Sequence, residues 1–272
     1  MLALPSPGRS RALLVALACV VALGAVALRP GPVAAAGVST AAAEASLLAW
    51  TNRDRAALGL VPLRPDPALV AIAGTRADNL AASSTFSHAA AGGDLAPALA
   101  AAGVQWFAWG ENIAELPGGI NSTAVAGIYR AWRGSATHWE MLMSPTMNYV
   151  GFGLAVRRSD GHAVASTVFT ESQDHTAPGA RIDSAVGSGT TITFAWHGRD
   201  PLLQSHWAGL RDYDAWYRVD DGAWRLIRND TTATSLRLVA RAPGHRYWLK
   251  VRARDRAGNV GRTSTPVSVR VP

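Results

Sequence analysis

Apolar residues recur every three or four positions in four stretches of the first half of the chain, and this pattern predicts four helices. The stretches are residues 41–58, a segment that begins at Asp66, residues 95–102, and a segment that begins at Asn121. Asp66 and Asn121 carry side chains that cap helix N-termini. Residues 83–93 (SSTFSHAAAGG) lack the pattern, and their composition predicts a loop.

The hydrophobic period changes to two in the next part of the chain, which predicts a strand hairpin. Residues 149–157 and 162–171 are the two strand-like runs, and Ser159-Asp160-Gly161 supplies the turn between them. Helices followed by a hairpin predict an α+β layered domain over residues 37–175. The short segment 176–180 (TAPGA) is predicted to be a linker.

Residues 181–272 show no helical period. They contain short runs such as TITFAW, WRLI and YWLKVRARD, separated by Gly, Asp and Asn residues that favour turns. Asp220-Asp221-Gly222 is predicted to be one hairpin turn of this region. The pattern is typical of a small all-β sandwich domain.

Residues 1–36 have the three parts of an export signal. Arg9 and Arg11 give a positive start, Ala12 to Leu28 is an uncharged run of 17 residues, and Ala34-Ala35-Ala36 offers a cleavage site. The run approaches the lower limit for spanning a bilayer, so a cleaved signal and a retained membrane anchor are both consistent with it. In either case we expect an extracellular or cell-envelope protein.

Composition and charge narrow the class of protein. Hydrophobic residues make up 49% of the chain and charged residues 17%, which excludes a disordered protein. Cys19, the single cysteine, lies in the N-terminal apolar run, so one copy can form neither a disulfide framework nor a cysteine zinc site. The net charge of the chain is +7, and the charges are unevenly distributed. Residues 176–272 carry 14 Arg and Lys250 against 8 Asp, so the net charge of this segment alone is also +7.

This basic segment could bind an anionic cell envelope, or its charges could simply solvate strand faces. We expect no nucleic-acid partner, and the oligomeric state stays open. The sequence lacks the HExxH, GxSxG, P-loop and GxGxxG motifs, which removes the commonest zinc protease, α/β-hydrolase and nucleotide-binding classes.

Several motifs then follow one another in a characteristic order. They are LLxxxNRxRxxxGLxPL at 47–63, FSH at 86–88, GENI at 110–113, AWxxS with a histidine three residues on at 131–138, and YVGFG at 149–153. In order and spacing they resemble the CAP superfamily, also called SCP or PR-1-like, in its bacterial form. The resemblance implies an α-β-α sandwich, and hence the fold class α+β with the all-β sandwich following.

The resemblance also implies a cleft lined by two histidines and two acidic residues, in which some members bind a divalent metal through the histidines. Carried over by position, His88 and His138 match the histidines and Glu111 matches the first glutamate. Ser135 stands where eukaryotic members have the second glutamate, and Ala136-Thr137 replaces the usual Pro-Gly. A weakly bound Zn²⁺ on His88 and His138 is therefore the expected cofactor, if there is one.

Three functions remain open from the sequence. In the first, the domain is an extracellular binding module that holds a small lipid, glycan or peptide in this cleft. In the second, it is a metal-assisted hydrolase in which His88 and His138 hold Zn²⁺ and Glu111 is the catalytic residue that activates water. The missing second carboxylate argues against this hydrolase. In the third, the protein is an envelope adhesin whose cleft is vestigial.

The C-terminal segment resembles bacterial fibronectin type III-like or Ig-like modules through residues 247–261 (YWLKVRARDRAGNVG). The resemblance implies that Tyr247 is a tyrosine-corner residue and Trp196 a core residue. Asp255 and Asn259 are expected to build the last turn rather than to bind a metal. In the first domain, the aromatic cluster Trp106, Phe107 and Trp109 is either core or a hydrophobic wall beside the cleft, and at least one member is expected in the core.

Overall fold

The computed structural model describes residues 37–239 and 241–271, and the predicted export signal, residues 1–36, lies outside the described residues. The first part of the chain contains six helices and four strands among these residues. The helices are α1 (Thr40–Ala57), α2 (Pro67–Ala82), α3 (His88–Ala91), α4 (Ala96–Ala101), α5 (Ser122–Gly134) and α6 (Ala136–Leu142). The strands are β1 (Arg64–Pro65), β2 (Ala108–Leu116), β3 (Tyr149–Val156) and β4 (Ala163–Glu171).

The four strands form one sheet in the order β1-β3-β4-β2, and helices cover both of its faces. On one face α1 and α5 bury Leu47 and Trp132 against Phe152 of β3. On the other face α2 and α4 bury Leu69 and Leu99, together with Tyr149 and Val168 of the sheet. The expected α-β-α sandwich is therefore confirmed.

Helix α2 lies unusually close to β3 because that strand has glycines where the two elements cross. A Cβ at Gly151 would stand 2.1 Å from the carbonyl carbon of Leu69, and one at Gly153 would stand 2.3 Å from that of Ala73. Both distances are far below any real carbon contact. The two glycines therefore allow the helix backbone to pack directly on the strand, and larger residues there would push α2 away from the sheet.

The predicted helices and the hairpin are confirmed, with two differences from expectation. The predicted loop at residues 83–93 contains the one-turn helix α3, because the Ser87 side chain caps it by accepting from the Ala90 N–H at 3.1 Å. The GENI segment, for which the pattern predicted no element, lies on strand β2. Strand β2 lacks the alternation of apolar and polar residues by which a strand is predicted, because the consecutive polar residues Glu111 and Asn112 both have buried side chains.

Seven strands follow in the rest of the described chain. They are β5 (Gly179–Ser188), β6 (Thr191–Arg199), β7 (Leu210–Val219), β8 (Arg225–Thr231), β9 (Ser235–Leu238), β10 (Arg246–Asp255) and β11 (Val267–Arg270). They form two antiparallel sheets, β11-β10-β7-β8 and β5-β6-β9, and share one hydrophobic core. The expected β-sandwich is confirmed.

The residues expected to mark this sandwich have the expected roles. Trp196 lies in the core and is 2% exposed. The Tyr247 hydroxyl accepts the Ala242 N–H at 3.1 Å, which is the contact of a tyrosine corner. The Asp255 carboxylate accepts from the backbone N–H of Asn259 at 2.8 Å and from its side-chain amide at 2.7 Å, so these two residues build the last turn.

Residues 200–209, between β6 and β7, form a loop that packs on the first domain; we call it the 200–209 loop. Leu203 is 3% exposed and joins the apolar cluster of α2 and the sheet. The Gln204 side chain accepts the Val61 N–H at 2.7 Å, and the Ser205 hydroxyl donates to the Thr146 carbonyl at 2.6 Å. The second domain thus supplies a core residue to the first.

The domain boundaries drawn from the sequence, 37–175 and 181–272 with a linker at 176–180, stay predictions. Within the described residues, no helix combines the length and apolar character needed to cross a bilayer.

Candidate functional site

Glu111 stands in the middle of β2 and is held by donors from two other elements. Its side chain is 4% exposed. Arg76 of α2 reaches it with Nε at 2.6 Å from Oε1 and Nη2 at 2.7 Å from Oε2, and the Ser166 hydroxyl of β4 donates to Oε1 at 2.8 Å. Burial raises the pKa of Glu111, but these hydrogen bonds and the Arg76 charge outweigh burial and hold the pKa below its ordinary value. The carboxylate is therefore charged at neutral pH.

His88, the first residue of α3, completes this network. Its Nδ1 lies 2.7 Å from Glu111 Oε2, and its side chain is 56% exposed. Because an ionised carboxylate can only accept, Nδ1 carries a proton and Nε2 is the basic nitrogen of the neutral ring. Arg76 also donates to the carbonyl of Gly93 just after α3, at 3.0 Å. The arginine and glutamate thus fix both the position and the tautomer of His88.

His138 lies on α6 near this network. Asn112, the neighbour of Glu111 on β2, donates from its side chain to the His138 carbonyl at 2.9 Å and so ties α6 to the strand. Burial lowers the pKa of His138, and the electrostatic interaction with nearby His88, when that ring is protonated, lowers it further. Its imidazole is therefore neutral at pH 7, and one of its two nitrogens has a free lone pair.

Of the residues predicted for the site, the structure brings His88 and Glu111 into contact and places His138 nearby. Ser135 is the residue before α6, and its hydroxyl lies 3.3 Å from that of Thr137. Among the described residues Ser135 makes no hydrogen bond to His88, Glu111 or His138. Glu140, on the same helix, is exposed.

Two residues of the network, Arg76 and Ser166, were not predicted as site residues. Arg76 falls on the apolar stripe of α2 that holds Leu69, Ile72 and Leu80. An arginine on a buried stripe needs a buried partner, and that signal was available in the sequence. Ser166 sits inside β4 and gives no comparable signal.

The aromatic cluster of Trp106, Phe107 and Trp109 lies around the start of β2 and is only partly buried. Trp106 is half-buried and packs against the apolar cluster of α2 and α4, so this member borders the core instead of lying inside it. Phe107 is 62% exposed, and its ring stacks on that of His206 with centroids 4.2 Å apart. Trp109 is 38% exposed.

A groove of about 800 Å³ runs between α2 and α4. Most of its wall is apolar, and its lining includes Arg76 together with Ala91 and Gly92 from the end of α3. Helix α3 therefore contributes Ala91 to the groove and His88 to the Glu111 network, and Arg76 takes part in both. Its remaining wall is made largely of small residues: Ala68, Ala71, Ile72, Thr75, Asn79, Asp94, Pro97, Ala98, Ala101 and Ala102.

Two solved structures of bacterial proteins are similar to the first part of this chain. One is an extracellular protein containing a SCP domain from Bacillus anthracis str. Ames, 22% identical, covering 48% of this chain and 41% of that chain at a TM-score of 0.42. Another is a cysteine-rich secretory protein from Staphylococcus aureus subsp. aureus Mu50, 26% identical, covering 49% of this chain and 40% of that one at a TM-score of 0.38. The chain thus spans about two fifths of the length of each of these two structures.

For the second domain, a Fn3-like protein from Clostridium thermocellum is 21% identical and covers 35% of this chain and 88% of that chain at a TM-score of 0.23. No curated protein matches the sequence. The match to a family comes from residues 48–170, which fit the model of the CAP family, described as the cysteine-rich secretory protein family. Those residues contain no cysteine, yet they carry the motifs and the fold together. Residues 48–170 of this chain are therefore a CAP domain.

Proposed function

We propose that this protein is an exported binding protein whose CAP domain holds a small amphipathic ligand beside His88 and His138. One observation carries the proposal: the acceptor positions of Glu111 are taken by Arg76, Ser166 and His88. A general base must have a lone pair free for the proton it removes. With its lone pairs engaged and its pKa lowered, Glu111 positions His88 instead of activating water.

The groove between α2 and α4 supports a lipid as the ligand class. A small-molecule site is typically a concave, mostly apolar surface with a few polar groups that orient the ligand. The groove has such a lining, and it includes Ala91, the last residue of the one-turn helix α3 that begins with His88. An acyl chain would lie along the alanines, with its polar end at the α3 end of the groove.

A divalent metal fits the two histidines only weakly. The contact of Glu111 with His88 Nδ1 leaves Nε2 available, which is the arrangement that orients histidine ligands in metal sites. His88 and His138 would hold the ion, which would supply a positive charge for an anionic ligand group. Zinc sites usually have three protein ligands or more, so two imidazoles predict weak binding.

The basic C-terminal domain supports binding to an anionic envelope through one face. On β7 and β10, cationic side chains lie over tryptophan rings: Arg218 is 5.0 Å from the centroids of both Trp248 and Trp224, the residue before β8, and Lys250 is 4.6 Å from that of Trp224. Each such pair holds the cation at the face of an aromatic ring, and both cations belong to the β11-β10-β7-β8 sheet of the sandwich. The hydrolase and the adhesin with a vestigial cleft are the competing functions.

Native mass spectrometry of the full chain tests the ligand, with a long-chain fatty acid and with Zn²⁺ as probes. Fatty acid should bind the wild type, and Ala101→Trp, which fills the groove, should abolish binding. The control Ala56→Trp places the same ring on an exposed position of α1 and should bind normally. Equal binding by the two tryptophan variants would overturn the groove assignment.

The histidines are tested by zinc titration calorimetry. His88→Ala and His138→Ala should each remove weak zinc binding, whereas His245→Ala, a histidine of the second domain, should leave it unchanged. Zinc heats that are identical in all four proteins would exclude the two histidines as ligands. If fatty acid also failed to bind the wild type, the vestigial cleft would stand.

A further inference from the structure

We propose that Asp174, Asp200 and Asp255 form a calcium site where the end of the CAP domain, the 200–209 loop and strand β10 meet. One carboxylate oxygen from each residue lies within 4.8 Å of the other two. All three residues are buried, with 3%, 6% and 0% of their surfaces exposed. Three carboxylates so placed can surround one cation.

Asp200 gives the independent evidence for a ligand. Both of its carboxylate oxygens are buried and have no hydrogen-bond partner among the described residues. The N–H of Gly209 and the indole of Trp207 lie nearby, but neither makes a hydrogen bond of normal geometry. A buried carboxylate without donors is costly, and native proteins rarely leave one unsatisfied.

The surrounding charge is also unbalanced. No arginine, lysine or histidine in residues 37–239 and 241–271 forms an ion pair with Asp174, Asp200 or Asp255. Burial, together with the charges of Asp174 and Asp255, raises the pKa of Asp200 to about 6. The cluster therefore lacks a positive charge that a bound cation would supply.

The other two carboxylates are held in place by hydrogen bonds that leave acceptor capacity free. Asp174 accepts the N–H of Thr176 and that of Ala208, each at 2.9 Å, and the Tyr149 hydroxyl at 3.3 Å, which leaves about one lone-pair position free. Asp255 accepts both donors of Asn259, as the turn requires. A carboxylate has about four lone-pair positions, so each can still bind an ion. The turn role of Asp255 and a ligand role are compatible.

The donor set selects the kind of cation. It contains only carboxylate oxygens, without imidazole or thiolate, and so favours a hard ion over zinc or copper. Calcium accepts six to eight oxygens in irregular geometry, whereas magnesium demands a regular octahedron at shorter distances. Three Asp side chains from separate segments, completed by water, suit calcium. Its binding would tie the 200–209 loop to both domains.

The test uses the full chain, freed of metal with EGTA and titrated with CaCl₂ by calorimetry, with Tm measured in parallel. Calcium should bind the wild type and raise its Tm. Asp200→Asn should weaken calcium binding by about tenfold or more, because one of three charged ligands is lost. Without calcium, the same variant should have a Tm equal to or above that of wild type, because a buried unpaired charge is removed.

Asp214→Asn is the matched control. Asp214 is equally buried in the same sandwich, but Arg252 and Arg254 pair with it at 2.7 and 3.0 Å. This variant should have a lower Tm and an unchanged response to calcium. The proposal is overturned if millimolar calcium gives neither heat nor a Tm shift with wild type, if Asp200→Asn responds as wild type does, or if magnesium gives an equal shift.

Discussion

Replacing Glu111 by glutamine should destabilise the CAP domain far more than an ordinary surface substitution. The side chains of Arg76 and Glu111 are 5% and 4% exposed, and two short contacts join them. Removing one partner of a buried ion pair costs about 3 to 5 kcal/mol, because the other charge stays buried without compensation. Since a whole domain is stable by only about 5 to 15 kcal/mol, the loss is large.

Glu115→Gln provides the control for this prediction. Glu115 lies on the same strand and pairs with Arg157, but its side chain is 30% exposed. A pair near solvent contributes about 1 kcal/mol or less. Urea denaturation of the three proteins gives the comparison, through the midpoint at an unchanged slope.

The substitution should also release His88. Glutamine can donate as well as accept, so it no longer requires a proton on Nδ1 of His88. Nitrogen NMR of the imidazole should therefore show a fixed Nδ1–H tautomer in the wild type and a mixture in the variant. If Glu111→Gln and Glu115→Gln cost the same within about 1 kcal/mol, the buried pair would not have the role assigned to it.

Three further measurements test other parts of the structure. Leu203→Ala should lower the free energy of unfolding by about 2 to 5 kcal/mol, whereas Leu202→Ala, at an exposed neighbour, should cost little in the same urea titration. The Asp66–His175 pair should stabilise the protein between two pH limits, as Tm against pH will show. The hydrogen bond to Asp66 raises the pKa of His175, so its contribution is complete below 6.5 and is lost as pH rises through the raised value. Burial raises the pKa of Asp66, but the hydrogen bond and charge of His175, together with the Leu69 and Ala68 N–H groups, outweigh burial and lower it. That contribution is therefore present above 3.8 and is lost at lower pH, and Asp66→Asn should remove both pH dependences. Binding to phosphatidylglycerol vesicles, measured by cosedimentation, should weaken as salt rises. At low salt, Lys250→Gln should reduce binding more than Arg237→Gln, which lies on the opposite sheet. Equal losses in the two variants would contradict the assignment of the binding face to the sheet that contains Lys250.

Local patterns predicted most of the elements, because local chemistry decides them. Asp66 followed by a proline marks the start of α2, and its side chain caps the helix there. Alternation over residues 149–171 marks the hairpin of β3 and β4, which pair in the predicted way. The prediction of a loop over residues 83–93 missed one turn of helix, which the Ser87 side chain caps.

The site was only partly predictable, because its contacts join distant residues. Arg76 and Glu111 are 35 positions apart, and nothing local pairs them. The resemblance to the CAP family supplied Glu111 and His88 as residues, but the saturation of Glu111 by hydrogen bonds appears only in three dimensions. Likewise, no pattern in the 200–209 loop indicates that Leu203 belongs to the core of another domain.

The place of Leu203 in that core has a consequence for biosynthesis. A chain is made from its N-terminus, and domains tend to fold in that order. The sheet of the CAP domain is complete once β4 has been made, but Leu203 follows later in the chain. Until it arrives, Leu69, Tyr149 and Val168 lack one of their apolar neighbours. During synthesis the CAP domain therefore exposes an apolar patch, which is covered only when the 200–209 loop of the same chain has been made.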